Sequence, residues 1–182
     1  MGRAAGRGTH RTPTGFFQVV SATTPRWRLV LDTNVVLDLL HFADASVLPI
    51  LHAIENHRAR CYASQNTLTE LRRVLTYPEF NLDAFAQNAL LTRYQSWFGE
   101  LHIISAPHDP LPRCSDPDDQ MFLELAASIP ADFLISKDKA VLALKRQVPG
   151  FYIRTPTEAT AFFSLPDLQQ VAGNRLGHPE EI

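Results

Sequence analysis

The chain has 182 residues, 45% hydrophobic and 20% charged, which fits one globular domain with flexible ends and not two domains. No run of about 18 apolar residues occurs, which excludes a single-helix membrane span; Cys61 and Cys114 have neither metal-ligand nor redox spacing, in keeping with a reduced, cytoplasmic setting. The net charge of −2 conceals a division, because residues 1–28 hold five arginines and no acid while the remainder holds 12 Lys or Arg against 19 acids.

Residues 1–25 are rich in Arg, Gly, Thr and Pro and lack an apolar period, so a disordered arm is expected there. Without acids, the arm faintly resembles an organelle-targeting segment. One domain is expected over 26–165 and a frayed tail over 166–182. Residues 29–31 form a short apolar strand, and 35–41 begin a helix. Residues 46–57 read as a second helix with Val47, Ile50, Leu51 and Ile54 on one face, and 61–63 as a strand. Leu68, Leu71, Val74 and Leu75 mark a third helix that ends before Pro78. The longest helical segment, 82–97, places Leu82, Phe85, Ala86, Ala89 and Leu90 in register. A strand over 101–104 precedes a loop through Pro107, Pro110 and Pro112. Then come a helix (117–128), a strand (133–136), a short helix (140–146), a strand (152–154) and a closing helix (156–163).

Strands alternating with helices predict an α/β fold, a three-layer sandwich whose central, mostly parallel sheet has about five short strands. Ligands of such sheets bind beyond the carboxyl ends of the strands. Asp32 directly follows the strand at 29–31, and Asp138 follows the one at 133–135. Either acid alone reads equally as a helix N-cap. Asp119 is harder to explain that way. At about 100° per residue it shares a helix face with Phe122, Leu123 and Ala126, where an unpaired carboxylate is costly. Asp116-Pro117-Asp118 reads as cap, first-turn proline and dipole-complementing acid, with Asp116 open to capping or ligation. Glu70 lies beside core-facing Leu71, at the margin of the buried stripe; a solvated pairing with Arg72 or Arg73 accounts for it as well.

An acidic body is a poor passive binder of nucleic acid, since phosphate contacts come from Lys and Arg. Bound cations would invert that field. Hydrolysing a phosphodiester requires an activated water and a stabilised leaving oxygen, both of which Mg²⁺ or Mn²⁺ supplies when held by hard oxygen ligands. Carboxylates from separate strands and helices would hold one or two such ions.

These residues resemble a known family. Leu29-Val30-Leu31-Asp32-Thr33-Asn34-Val35-Val36 is similar to the opening signature of PIN domains, and residues 68–75 to their helix bearing the second acid. The run from Asp116 through Asp119 to Ala126 resembles the third motif of a bacterial branch, the VapC-like toxins of toxin–antitoxin systems, and 131–138 the fourth. The resemblance spans about residues 28–164, with order and spacing kept throughout. It implies that Asp32, Glu70, Asp119 and Asp138 bind metal, that Asp116 competes with Asp119 as direct ligand, and that Thr33, Asn34 and Ser136 orient ligands or water. It further implies one or two Mg²⁺ or Mn²⁺ ions, a single-stranded RNA substrate, a cognate antitoxin and a homodimer.

Two features depart from the family. Ala140 stands where many relatives carry a further acid, and Lys137 and Lys139 flank Asp138. These leave room for a second reading, a non-catalytic module that binds RNA or protein. A strand followed by aspartate also opens haloacid-dehalogenase phosphatases, but their second acid would fall at Asn34. Arg72, Arg73, Arg113, Lys137, Lys139, Lys145 and Arg146 are the cations expected around an RNA groove. Tyr94 and Trp97 offer base stacking or, more simply, core packing. His52 and His57 are five apart, which is not a helical metal-site spacing, and are expected at the surface.

Overall fold

The computed structural model describes residues 27–42, 44–105 and 110–163; the expected arm over 1–25 and tail over 166–182 lie outside them. Its four strands are β1 (Trp27–Leu31), β2 (Ala59–Tyr62), β3 (Phe133–Ile135) and β4 (Tyr152–Arg154). All pair in parallel, in the order β2-β1-β3-β4. Parallel pairs need long crossovers, and helices supply them. Helix α1 (Thr33–Leu37) runs on into a π-helical turn, Asp38–Phe42, and α2 is Leu48–Glu55. Between β2 and β3 lie α3 (Gln65–Leu75), α4 (Ala84–Gln95) and α5 (Gln120–Ser128), the last preceded by a 3₁₀ turn, Pro117–Asp119. Helix α6 (Lys139–Leu142) joins β3 to β4, and α7 is Pro156–Phe163.

The pleat of the central strands explains the three layers. Leu29, Leu31, Phe133 and Ile135 face a core built with α1 to α4 and α7. Their neighbours Val30, Leu134 and Ile153 face the opposite way, into a core closed by α5 and α6. Both faces are dry, so β1 and β3 read as unbroken apolar runs and not as alternations. Arg28 at the start of β1 ties to Asp132 at the start of β3, its backbone N–H donating to the carboxylate at 2.6 Å. The carboxyl ends of β1 and β3 therefore lie side by side. No single helix among the described residues is long and apolar enough to cross a membrane.

Two expectations need correction. Residues 101–104 form no strand; they meet β2's end through one backbone bond, His102 N–H to Ala63 O at 2.8 Å, and Ile103 is 88% exposed. The sheet accordingly has four strands. Helix α4 packs through Leu90, Leu91 and Tyr94, while Phe85, placed in its buried stripe from sequence, is 84% exposed.

Candidate active site

Parallel pairing of β1 with β3 sets Leu31 opposite Ile135, and the residues just beyond each strand meet at this edge. Asp32 is 2% exposed and caps α1, accepting from the Val35 N–H at 2.9 Å. Its other oxygen accepts from the Ser136 hydroxyl and from the Lys137 N–H at 3.2 Å. Ser136 is buried and also accepts from the Asp138 N–H at 2.9 Å, so one hydroxyl links two carboxylate-bearing residues 106 positions apart. Asp138 caps α6 through one oxygen, which takes the Ala140 N–H at 2.6 Å. Burial raises the Asp32 carboxyl above its usual range, opposed by its hydrogen bonds from Ser136, Val35, Lys137 and Asn34.

Asp119, half-buried, sits at the start of α5, whose Phe122, Leu123 and Ala126 fill the second core. Its carboxyl is pushed up to about 7, first by burial and then by the negative charges of Asp138, Asp116 and Asp32. Protonated, it donates to Asp138. Asp116 is exposed and caps the 3₁₀ turn through the Asp118 N–H at 2.9 Å. Asp32, Asp116 and Asp138 thus all lie within electrostatic reach of Asp119. Among the described residues, no three His, Cys, Asp or Glu side chains are drawn close enough to hold an ion as they stand.

Glu70 is placed differently. Arg73 clamps its carboxylate from two nitrogens at 2.7–2.9 Å and reaches the Tyr77 hydroxyl with a third at 2.6 Å. Lys137, expected from sequence as a possible phosphate contact, places its ammonium 2.7 Å from Asp38. Asp38 is 7% exposed and was not singled out from sequence. The signal was present: it is an acid in the apolar run Val36-Leu37-Asp38-Leu39-Leu40, the same criterion that marks Asp119. Thr33 is buried beside Asp32, and Asn34 is exposed. Arg72, Arg113, Lys139 and Arg146 are exposed and enter no ion pair among the described residues, whereas Lys145 pairs with Glu158. Tyr94 and Trp97 belong to the first core, and His52 and His57 lie at the surface.

A family model described as a PIN domain matches residues 28–140. Among solved structures, the chain is similar to one from the VapBC2 complex of Rickettsia felis, crystallised bound to a DNA fragment from its promoter. That match has a TM-score of 0.50 at 14% identity and covers 70% of this chain and 98% of the other. At this identity it speaks for the fold. No curated protein matches the sequence.

Proposed function

Because the chain belongs to the PIN domain family, we propose that it is a divalent-metal-dependent endoribonuclease that cuts single-stranded RNA, as the toxin of a type II toxin–antitoxin pair. The observation that carries this reading is the arrangement at the carboxyl edge of a parallel sheet, where the Ser136 hydroxyl links Asp32 to Asp138 and both acids act on the half-buried Asp119. A set of hard oxygens that repel one another suits Mg²⁺ or Mn²⁺. Asp32, Asp119 and Asp138 would hold the ion or ions, with Asp116 and Glu70 as further ligands. Bound there, such ions would activate a water and stabilise the departing oxygen.

The chain's own residues prepare this. Ser136 and the Val35 and Lys137 N–H groups fix both oxygens of Asp32, so its orientation costs nothing at the moment of reaction. Burial and the neighbouring acids hold the Asp119 carboxyl well above its ordinary range, a penalty that a bound cation would relieve. Arg72, Arg113 and Lys139, exposed and in no ion pair among the described residues, are cations available to RNA. The likeness to a VapBC2 chain supports a protein antitoxin as partner; the homodimer is part of the same proposal.

The test is cleavage of single-stranded RNA by pure protein with Mg²⁺ or Mn²⁺, compared with Asp32→Asn. Equal cutting by both proteins refutes the assignment. The Arg73 clamp on Glu70 favours a second reading, a module that binds RNA without cutting it. Such a module would hold RNA equally with and without divalent ions and never shorten it.

A further inference from the structure

A cleft of about 720 Å³ opens along the flank of α5, at the rim of the second core, whose Cys114, Ile104 and Leu111 help to line it. Its walls include the apolar side chains of Leu111 and Pro117, and its charged groups are Arg113 and Glu124. Gln120 and Glu124 are four apart on α5 and so share one face, turned by about one residue from the face that carries Asp119. Gln120 is occupied in building the wall: its carbonyl oxygen accepts the Cys114 N–H at 2.8 Å, and its amide donates to Pro112 O at 3.4 Å. This staple holds the 112–114 loop against α5, so the cleft is formed before any ligand arrives.

The cleft adjoins the acids. Cys114, which lines it, feels the negative charges of Asp119, Asp138 and Asp116. Arg113 and Glu124 are of opposite charge, yet they form no ion pair with each other or with any other described residue. Two opposite charges left unjoined in one preformed slot suit a planar ligand with donors on one edge and acceptors on another. Guanine is the base that presents two adjacent donors, N1–H and N2–H₂, to a carboxylate and two adjacent acceptors, O6 and N7, to an arginine. Adenine, cytosine and uracil lack that pair of edges.

We propose that this cleft receives an unpaired guanine of the RNA substrate, with Glu124 accepting from its Watson–Crick edge and Arg113 donating to its O6/N7 edge. The inference rests on the nuclease reading for its substrate class, and it makes Arg113 and Glu124 specificity-determining residues. The slot's volume accommodates a nucleoside. Its position beside Asp119 sets the guanine next to the phosphate that the acids would address.

The test uses the full chain in EDTA, titrated with guanosine, inosine and adenosine and followed by backbone amide NMR. Nucleosides carry no phosphate, so the acid cluster does not repel them. Guanosine is expected to shift the amides around Cys114 and Glu124. Inosine, which lacks the N2 amino group, should bind about ten-fold more weakly, and adenosine weaker still. Glu124→Gln should abolish the preference for guanosine over inosine, and Arg113→Met should weaken guanosine about ten-fold. Both side chains lie at the cleft's edge, and an unchanged amide spectrum of each variant away from the cleft establishes that it folds. Equal affinity for the three nucleosides, an unaltered preference in Glu124→Gln, or shifts located elsewhere would overturn the proposal. The two readings fail separately. Guanosine preference without RNA cleavage in Mn²⁺ overturns the nuclease and keeps the pocket; cleavage with no preference at guanines does the reverse.

Discussion

Replacing Asp119 by Asn should make the metal-free protein more stable while removing its response to metal. The native state holds this carboxyl up to about 7 against an ordinary 3.8, chiefly through burial and then through Asp138, Asp116 and Asp32. That difference has a ceiling of about 4 kcal/mol. Asp119 is only half-buried, and solvent screening reduces the figure to about 1–2 kcal/mol. The sign follows from the direction of the shift. The folded chain binds the proton more tightly than the unfolded one, so the cost is absent below about pH 4, grows as pH rises and is complete above about pH 7. At pH 8 in EDTA, Asp119→Asn should therefore raise Tm by about 2–8 °C over the parent, and by pH 5 the gap should shrink to less than half. Mn²⁺ reverses the ranking. At about 100 times its Kd a single ion stabilises the parent by about 2.7 kcal/mol, and the variant should lose most of that gain along with RNA cleavage. Thermal melts at two pH values, with EDTA or Mn²⁺, read all four quantities. A variant that melts at or below the parent at pH 8, or gains equally at pH 5, refutes the claim that Asp119 is repelled by its neighbours.

Ser136→Ala removes the hydroxyl that links Asp32 to the Asp138 backbone and should cost about 1–3 kcal/mol in urea unfolding. RNA cleavage should fall at least ten-fold, with the loss in kcat and not in KM if the hydroxyl positions Asp32. Lys137→Met leaves the buried Asp38 carboxylate unpaired, so it should destabilise by about 1–3 kcal/mol, and adding Asp38→Asn should restore most of the loss. The Cys61 thiol is fully buried in the first core and burial pushes it far up, so it should resist a thiol reagent at pH 8 until the chain is unfolded in guanidinium.

The sequence made the sheet legible because both faces of β1 and β3 are dry, leaving runs such as Leu29-Val30-Leu31 bounded by an acid and a polar turn. The same feature pointed to Asp32 and Asp138, since an aspartate within three residues of the end of a buried parallel strand has few places to go but the carboxyl edge. Asp119 was visible through its phase on α5. What misled were segments whose local pattern has no partner. Residues 101–104 alternate in exposure as an edge strand would, yet a single backbone bond joins them to the end of β2. Phe85 fits a helical stripe by size, but α4 turns its later residues, Leu90, Leu91 and Tyr94, to the core. Glu70's clamp and Asp38's ion pair depend on where Arg73 and Lys137 place their ends, and long flexible side chains leave no trace of that in spacing.

The contrast between Asp38 and Asp119 bears directly on the reading of the site. Both are acids set among apolar residues, but only Asp38 has a cation against it among the described residues. Lys137 follows Ser136 and donates its backbone N–H to Asp32, yet its ammonium goes to Asp38. Asp38 is thereby neutralised, while Asp119 is left facing Asp138, Asp116 and Asp32. Leaving that repulsion in place beside an organised Asp32 is the arrangement expected where the missing positive charge arrives from solution. Arg113 and Glu124, in no ion pair among the described residues, follow the same logic one helix face away.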